Sequence, residues 1–123
     1  MGGVTGIDFD HPDETRTFPN GHWDVVHVGS STIARGTMEP GWHWADHVKP
    51  IVGTESCQQR HVGYLVSGSL RVRMVDGTEL TISPGQAYVI EPGHDAWVEG
   101  DEATVGMEFA TQSAETYATA ASS

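Results

Sequence analysis

Residues 61–93 read HVGYLVSGSLRVRMVDGTELTISPGQAYVIEPG, and this stretch decides the fold. Short apolar or alternating segments in it are separated by turn-forming pairs that end in glycine: Ser67-Gly68, Asp76-Gly77, Pro84-Gly85 and Pro92-Gly93. An Asp-Gly pair between two alternating segments is a strong signal for a β-hairpin. Pro-Gly pairs mark the turns at which strands end. The stretch therefore predicts several short strands that follow one another through tight turns.

The rest of the chain continues this pattern on both sides of the stretch. No segment keeps the apolar period of an amphipathic helix, and turns recur about every 8–12 residues, which is typical of a sandwich or barrel. We predict an all-β fold, a jelly-roll barrel of about nine or ten short strands. The predicted strands are residues 22–28, 31–39, 42–49, 57–66, 70–75, 79–82, 87–90, 96–99 and 103–109.

The length of the chain, 123 residues, fits one domain with its own core. Residues 1–20 are polar and rich in glycine, so we expect an N-terminal arm or edge strand there. Residues 21–110 hold the predicted barrel. Residues 111–123 are small and polar, and we expect them to form a flexible C-terminal tail.

Charge and cysteine content exclude several classes of function. Seventeen acidic against six basic residues give a formal net charge of −11, which repels nucleic acids and anionic lipid. No apolar run approaches the ~20 residues that span a bilayer, and the start of the chain lacks the pattern of a secretory signal. The only cysteine, Cys57, cannot form an internal disulfide. We therefore expect a cytoplasmic protein whose partner is a small molecule, neither nucleic acid nor membrane.

Histidines are the residues that point to chemistry. Because residues two apart in a strand share a face, His47 and Lys49 lie on one side of their predicted strand. Cys57 and His61 share a face of the next strand, and His94 begins another. Three strands thus each bring a histidine towards one barrel mouth. Imidazole and thiolate ligands suit a divalent transition metal such as Fe, Zn, Ni or Cu better than Mg or Ca.

The spacing of glycines and histidines resembles the cupin superfamily, small β-barrels with two sequence motifs. The first motif reads G-x5-H-x-H-x3–4-E-x6-G. In this chain Gly41 leads to His47 at the first histidine position, and His61 stands at the glutamate position, seven residues before Gly68. Lys49 stands where the second histidine is expected. The loop between the first histidine position and the glutamate position is longer than is usual in the family.

The second motif of the family reads G-x5-P-x-G-x2-H-x3-N. Gly85 opens it in this chain, and its P-x-G falls on residues 91–93. Ala96 stands at the histidine position and Gly100 at the asparagine position. The resemblance covers about residues 30–110 and implies a double-stranded β-helix, the jelly-roll barrel of the cupins. It also implies a homodimer, because cupins commonly pair through their N-terminal strands.

The resemblance implies a metal in the barrel mouth, held by His47 and His61. His94, one pleat from Ala96, is a candidate for the missing ligand, and Cys57 is another if its loop folds inward. Lys49 is a candidate catalytic base or substrate anchor, since its pKa should fall near a metal or in a dry pocket. Tyr64 is a candidate for orienting a ligand or a bound water.

Two classes of function fit these residues. The first is a small metalloenzyme of dioxygenase, isomerase or lyase type, acting on a small organic acid or aromatic compound. The alternative is a non-catalytic cupin that binds or senses a small molecule, with a degenerate metal site. A stoichiometric metal with an open coordination position favours the enzyme, and tight binding without product favours the binding module.

Overall fold

The computed structural model describes residues 3–109 and 111–119, which form nine strands and three short helices. The strands are β1 (Glu14–Phe18), β2 (Gly21–Val28), β3 (Ser31–Met38), β4 (His61–Ser67), β5 (Leu70–Met74), β6 (Glu79–Ile82), β7 (Ala87–Ile90), β8 (His94–Val98) and β9 (Thr104–Glu108). The helices are α1 (Trp44–His47), α2 (Lys49–Val52) and α3 (Thr111–Thr116). No helix in these residues is long and apolar enough to cross a membrane.

The strands form two antiparallel sheets, as the all-β prediction requires. The six-stranded sheet has the order β1-β2-β3-β9-β4-β7, and the three-stranded sheet has the order β6-β5-β8. The chain crosses between the sheets four times, after β4, β6, β7 and β8. This arrangement confirms the predicted jelly roll.

The hairpin of β5 and β6 forms at the Asp-Gly pair that predicted it. Val72 pairs with Leu80 across the hairpin, and the side chain of Asp76 accepts a hydrogen bond from the backbone N–H of Thr78 (2.9 Å). Gly77 has a φ of 93°, a left-handed conformation that glycine adopts without steric cost. Local turn chemistry therefore determines this part of the fold.

The core lies between the two sheets and is built around large aromatic side chains. Trp23, Trp42 and Trp44 are at most 2% exposed, and Leu65 of β4 is 1% exposed. The strands contribute alternate residues, so that Leu70 and Val72 of β5 point inward with the tryptophans. This packing encloses the histidines described below.

Residues 42–49 do not form the predicted strand; they enter α1 and α2 instead. Trp44 and Val48 are both buried, and a spacing of four places them on one helical face. The backbone N–H of Val48 donates to the carbonyl of Trp44 (2.9 Å), and Pro50 occupies the first turn of α2, where it is tolerated. As a result, the outer edge of β8 pairs only through isolated bridges, which join His43 to Trp97 and Cys57 to His94.

The two ends of the chain pack on the barrel, the first as the edge strand that the sequence analysis offered as an alternative to an arm. β1, within the expected N-terminal arm, pairs along its whole length with β2 as an edge strand. Residues 111–119 are not a free tail, because α3 docks on the barrel and buries Ala114 and Tyr117. The indole N–H of Trp23 donates to the carbonyl of Ala114 (3.0 Å). Residues 120–123 lie outside the described residues.

Candidate metal centre

Three potential metal ligands converge inside the barrel: Cys57, His61 and His94. Each offers one donor atom, and these atoms lie within 4.8 Å of one another. The Sγ of Cys57 is 3.6 Å from the Nε2 of His61, and the two imidazole rings are 5.2 Å apart between centroids. All three residues are at most 6% exposed. Among the described residues this is the group of histidine, cysteine and carboxylate side chains whose geometry could hold a metal ion.

The backbone holds the three side chains from different parts of the chain. His61 begins β4 and His94 begins β8, whereas Cys57 lies in the loop before β4. The N–H of Cys57 donates to the carbonyl of His94 (2.8 Å), and the N–H of Gly93 donates to the carbonyl of Cys57 (2.7 Å). These two bonds fix the cysteine against the edge of β8 that no full strand covers.

Both imidazoles are oriented by hydrogen bonds at their Nδ1 atoms. His94 Nδ1 lies 2.8 Å from the backbone carbonyl of Glu91, which can only accept, so this nitrogen carries the hydrogen. His61 Nδ1 donates to Glu108 Oε1 at 2.8 Å. Histidines that bind metals commonly donate their other ring N–H to a carboxylate or carbonyl in this way. The Nε2 atoms are therefore the ones available to a metal.

The position of Glu108 is itself supported by Tyr88, whose hydroxyl donates to Glu108 Oε2. Burial and the charge of Glu108 raise the pKa of Tyr88, so this phenol keeps its proton and stays a donor. Gly63 and Gly106 make room for the phenol, because a Cβ on either would lie within 3 Å of the Tyr88 oxygen. A carboxylate–imidazole arrangement is thus built into β4, β7 and β9.

The electrostatics of the cluster favour a thiolate at Cys57 and an imidazolium at His61. Burial by itself raises the pKa of Cys57, but hydrogen bonds from His61 and His94 outweigh it and lower the pKa to about 6. Burial by itself lowers the pKa of His61, whereas the charges of Glu108 and Cys57 raise it to about 10. The thiolate, which is the form that binds metals, is therefore present at neutral pH.

The donor set fits a transition metal in both chemistry and distance. With metal–sulfur and metal–nitrogen bonds of about 2.3 and 2.05 Å, tetrahedral geometry places the two donor atoms about 3.5 Å apart. The observed distance from Cys57 Sγ to His61 Nε2 is 3.6 Å. Two imidazoles and one thiolate suit Zn, Fe, Ni or Cu. Three protein ligands leave a further coordination position open, as catalytic metal sites do.

A small internal cavity adjoins the cluster and could contain that open position. We call it the inner cavity; its volume is about 40 Å³, and His61, His94 and Glu108 line it. Such a volume holds a water molecule or a small polar group. Among the described residues, Cys57 does not belong to the lining of the cavity, so the thiolate lies behind the two imidazoles.

Two tryptophans in the wall of the inner cavity carry hydrogen-bond donors without partners among the described residues. Trp42 and Trp44 both line it and are each 2% exposed. Their Nε1 atoms are buried and have no hydrogen-bond partner among the described residues. A buried donor without a partner costs free energy.

The structure brings Cys57, His61 and His94 together but places the other predicted site residues elsewhere. His47 ends α1, where its Nδ1 accepts a hydrogen bond from the backbone N–H of His43 (3.1 Å). The Nζ of Lys49 pairs with Glu55 (3.2 Å) on the surface. These placements follow from the two helices, because motif spacing assumed an extended chain. Tyr64 points outward from β4 and is 43% exposed.

The orienting residues Glu108 and Tyr88 were missed by the sequence analysis. In β9 the polar residues Thr104 and Glu108 face inward, while Val105 and Met107 alternate with them on the outer side. The usual rule for a half-buried strand places the apolar residues inside, so it would assign the wrong face. The only signal in the sequence for this inward polar face was the alternation of residue types with a period of two, together with Gly106 on the same face.

Comparisons with known proteins show the class of fold. The protein KdgF from Halomonas sp. superposes with a TM-score of 0.58 at 19% identity, over 87% of this chain and 91% of that one. A cupin-like protein from Thermotoga maritima superposes with a TM-score of 0.56 at 15% identity, over 86% of this chain and 82% of that one. No family model matches the sequence. The chain has the cupin fold that its motifs predicted.

A curated relative is similar in sequence over most of the chain. This relative is NorA, a protein of the spectinabilin polyketide synthase system of Streptomyces orinoci. The two are 31% identical over 97 residues, which make up 78% of this chain but 5% of the relative. The similarity therefore concerns a small part of a much larger protein.

Proposed function

We propose that this cupin binds a divalent transition metal through Cys57, His61 and His94. The observation that carries the proposal is the convergence of three buried donor atoms within 4.8 Å of one another. The hydrogen bonds at both Nδ1 atoms support it, because they leave both Nε2 atoms facing the cysteine. The metal is Fe, Zn, Ni or Cu, since these suit imidazole and thiolate donors.

We further propose that the site serves a small metalloenzyme. A metal bound there would supply a Lewis acid that polarises a carbonyl or enolate oxygen, or activates water or dioxygen. Glu108 holds the imidazole of His61 in place, and Tyr88 holds Glu108. Dioxygenation, isomerisation and lyase chemistry on a small organic acid or aromatic compound are all compatible with these groups.

The similarity to NorA supports a substrate that carries carbonyl groups or aromatic rings. Polyketide assembly works on such compounds, and the matched relative belongs to a polyketide synthase system. A second candidate is a module that binds a ligand without converting it. Formation of a product from a bound carbonyl compound would distinguish the enzyme from the binding module.

The order Cys57, His61, Glu108 also matches a nucleophilic thiol with its base and orienting carboxylate. The metal proposal is better supported, because a nucleophile must reach the atom that it attacks. Cys57 is 1% exposed and lies outside the lining of the inner cavity among the described residues. Behind two imidazoles, the sulfur can contact a metal ion but not a substrate carbon.

The proposal is tested by measuring metal content by mass spectrometry. The protein used is tag-free and has not been exposed to a chelator. We expect close to one Fe, Zn, Ni or Cu per chain. Cys57→Ser and His94→Ala should each lose most of it, whereas His47→Ala should retain it, because His47 lies outside the cluster. Circular dichroism of each variant verifies folding. A wild-type protein without metal, and without binding on titration, would sink the proposal.

We also propose that the chain forms a homodimer and works in the cytoplasm. Apolar side chains on the outer side of the six-stranded sheet support the dimer, since Tyr64, Val66 and Val89 are 43%, 50% and 54% exposed. The unpaired thiol of Cys57 supports a reducing compartment. Light scattering after size exclusion gives the mass in solution, and a monomer at micromolar concentration would contradict the dimer.

A further inference from the structure

A second and larger cavity opens on the side of the barrel. It has a volume of about 570 Å³ and lies between β6 and β7, the edge strands of the two sheets. We call it the lateral cleft. Its size falls in the range of pockets that hold small organic molecules, roughly 300–1,000 Å³.

The lateral cleft exists because β6 and β7 do not pair with each other. Leu80 of β6 faces the barrel interior, on the same side as its neighbour Val72 of β5. Val72 is 6% exposed and Ile82 is 3% exposed, yet Leu80 is 64% exposed. A core-facing leucine is therefore left open to solvent at the gap between the sheets.

Two residues form a common wall between the lateral cleft and the inner cavity: Tyr88 and Ile90 of β7 line both. The Tyr88 hydroxyl donates to Glu108, and Glu108 accepts from His61. The inner cavity, at about 40 Å³, has room for a functional group but not for a whole organic molecule. The body of a ligand that reaches His61 must lie in another space, and the lateral cleft adjoins the inner cavity through these two shared residues.

The chemistry of the lateral cleft selects against a charged ligand body. Valine, leucine, isoleucine and methionine side chains supply much of its wall. Its two carboxylates are already paired, Glu79 with Arg71 at 2.9 Å and Glu91 with Arg60 at 3.1 Å. Among the described residues, no lysine, arginine or histidine lines it. An anionic body would find no cation there, whereas an uncharged apolar body would bury its surface.

We propose that the lateral cleft binds the uncharged, apolar or aromatic body of a small ligand whose oxygen-bearing end passes Tyr88 into the inner cavity. Only the role of the oxygen-bearing end rests on the proposed function. For the substrate of that function, the cleft favours an aromatic compound over a small organic acid. Leu80 and Val72 then contact the ligand body.

Nuclear magnetic resonance of the isotope-labelled full chain, after treatment with chelator, tests the proposal with two probes. 2-Naphthol is an uncharged aromatic compound at pH 7, and 2-naphthoate is its anionic counterpart. We expect saturable shifts of backbone amides in β6 and β7 with 2-naphthol, and binding at least about tenfold weaker with 2-naphthoate. Leu80→Ser should weaken 2-naphthol binding about fivefold or more, because the apolar contact is lost. Because the side chain of Leu80 is exposed, this substitution should not impair folding.

Val4→Ser is the matched control, since Val4 is an exposed apolar residue that does not line the lateral cleft and should not affect binding. Shifts confined to the outer face of β4, no saturable shift at millimolar 2-naphthol, or equal affinity for both probes would each overturn the proposal. The outcome of the metal measurement is independent of the outcome of this binding test. Protein that binds 2-naphthol in the cleft but holds no metal contradicts the proposed function alone, and protein with metal but without 2-naphthol binding contradicts the cleft alone.

Discussion

Among single residues, Cys57 and His61 contribute to stability with opposite dependence on pH. The pKa of Cys57 is about 6 in the folded chain against 9.0 without its neighbours, so its contribution is present above pH 9 and is lost as the pH falls towards 6. The pKa of His61 is about 10 against 6.5, so its contribution is present below pH 6.5 and is lost as the pH rises towards 10. Between these limits the two changes largely offset each other in the wild type.

Removing the thiol should unmask the contribution of His61. For metal-free Cys57→Ser we expect a free energy of unfolding that falls increasingly below the wild type as the pH rises from 6 to 9. The limiting slope is about 1.4 kcal/mol per pH unit. Urea denaturation at pH 6, 7.5 and 9, with chelator present, measures it. Gln58→Ala, a change at an exposed neighbour, is the control and should follow the wild type. A difference that is constant with pH would mean that the sulfur is not a thiolate in the folded chain.

Of the secondary-structure elements, α3 contributes most beyond what its composition suggests. Tyr117, directly after the helix, is 3% exposed and packs on Trp23 with ring centroids 4.4 Å apart. It also lies 5.4 Å from the ring of His61, so the helix closes the barrel next to the candidate metal centre. Burial and nearby negative groups, Cys57 first among them, raise the pKa of Tyr117 and keep its phenol neutral. The helix therefore belongs to the site as well as to the core.

We expect Tyr117→Ala to destabilise the fold by about 3–5 kcal/mol, since it removes a large buried ring from a packed core. Tyr64→Ala is the matched control, because Tyr64 is the same residue type at 43% exposure and should cost about 1 kcal/mol or less. Chemical denaturation of both variants gives the comparison. Equal losses in the two would show that the segment after residue 110 does not dock in solution.

The elements α1 and α2 explain why the site departs from the family motif. They occupy the edge of the three-stranded sheet where the motif expects a strand with two ligands. Cys57 reaches the same edge after the helices and pairs there with His94. A candidate ligand from the loop, Cys57, thus lies where spacing assigned His47. The two helices have no bearing on the homodimer that is expected to form through N-terminal strands. In this structure the N-terminal strand β1 pairs with β2 of its own chain.

For the molecule as a whole, a metal that binds only the folded chain must raise its stability. Free metal at one hundred times the dissociation constant adds about 2.7 kcal/mol, which corresponds to roughly 8–12 °C in Tm for a domain of this size. Thermal denaturation with and without Zn²⁺ measures the shift. His94→Ala should lose most of it, and His47→Ala should retain it. An equal rise in both variants would place the binding elsewhere on this acidic chain.

The order of strands and turns followed from the sequence because it rests on local chemistry. The Asp-Gly hairpin, the Pro-Gly turns and the alternation in β4 and β5 each involve a few neighbouring residues. Such patterns determine backbone conformation before any distant contact forms. The same patterns sufficed for the cupin fold and for His61 on an inward face, whereas the orientation of His94 depended on a register that the sequence left open.

The metal centre depended on contacts between distant residues, which local patterns do not encode. Residues 42–49 were predicted as a strand, but burial of Trp44 and Val48 on one face selected a helix. Cys57 entered the site through a backbone bridge to His94, thirty-seven positions along the chain, and Glu108 entered from β9 because its polar face lies inside. Local chemistry therefore defined the barrel, and only packing between its sheets could determine which side chains meet within it.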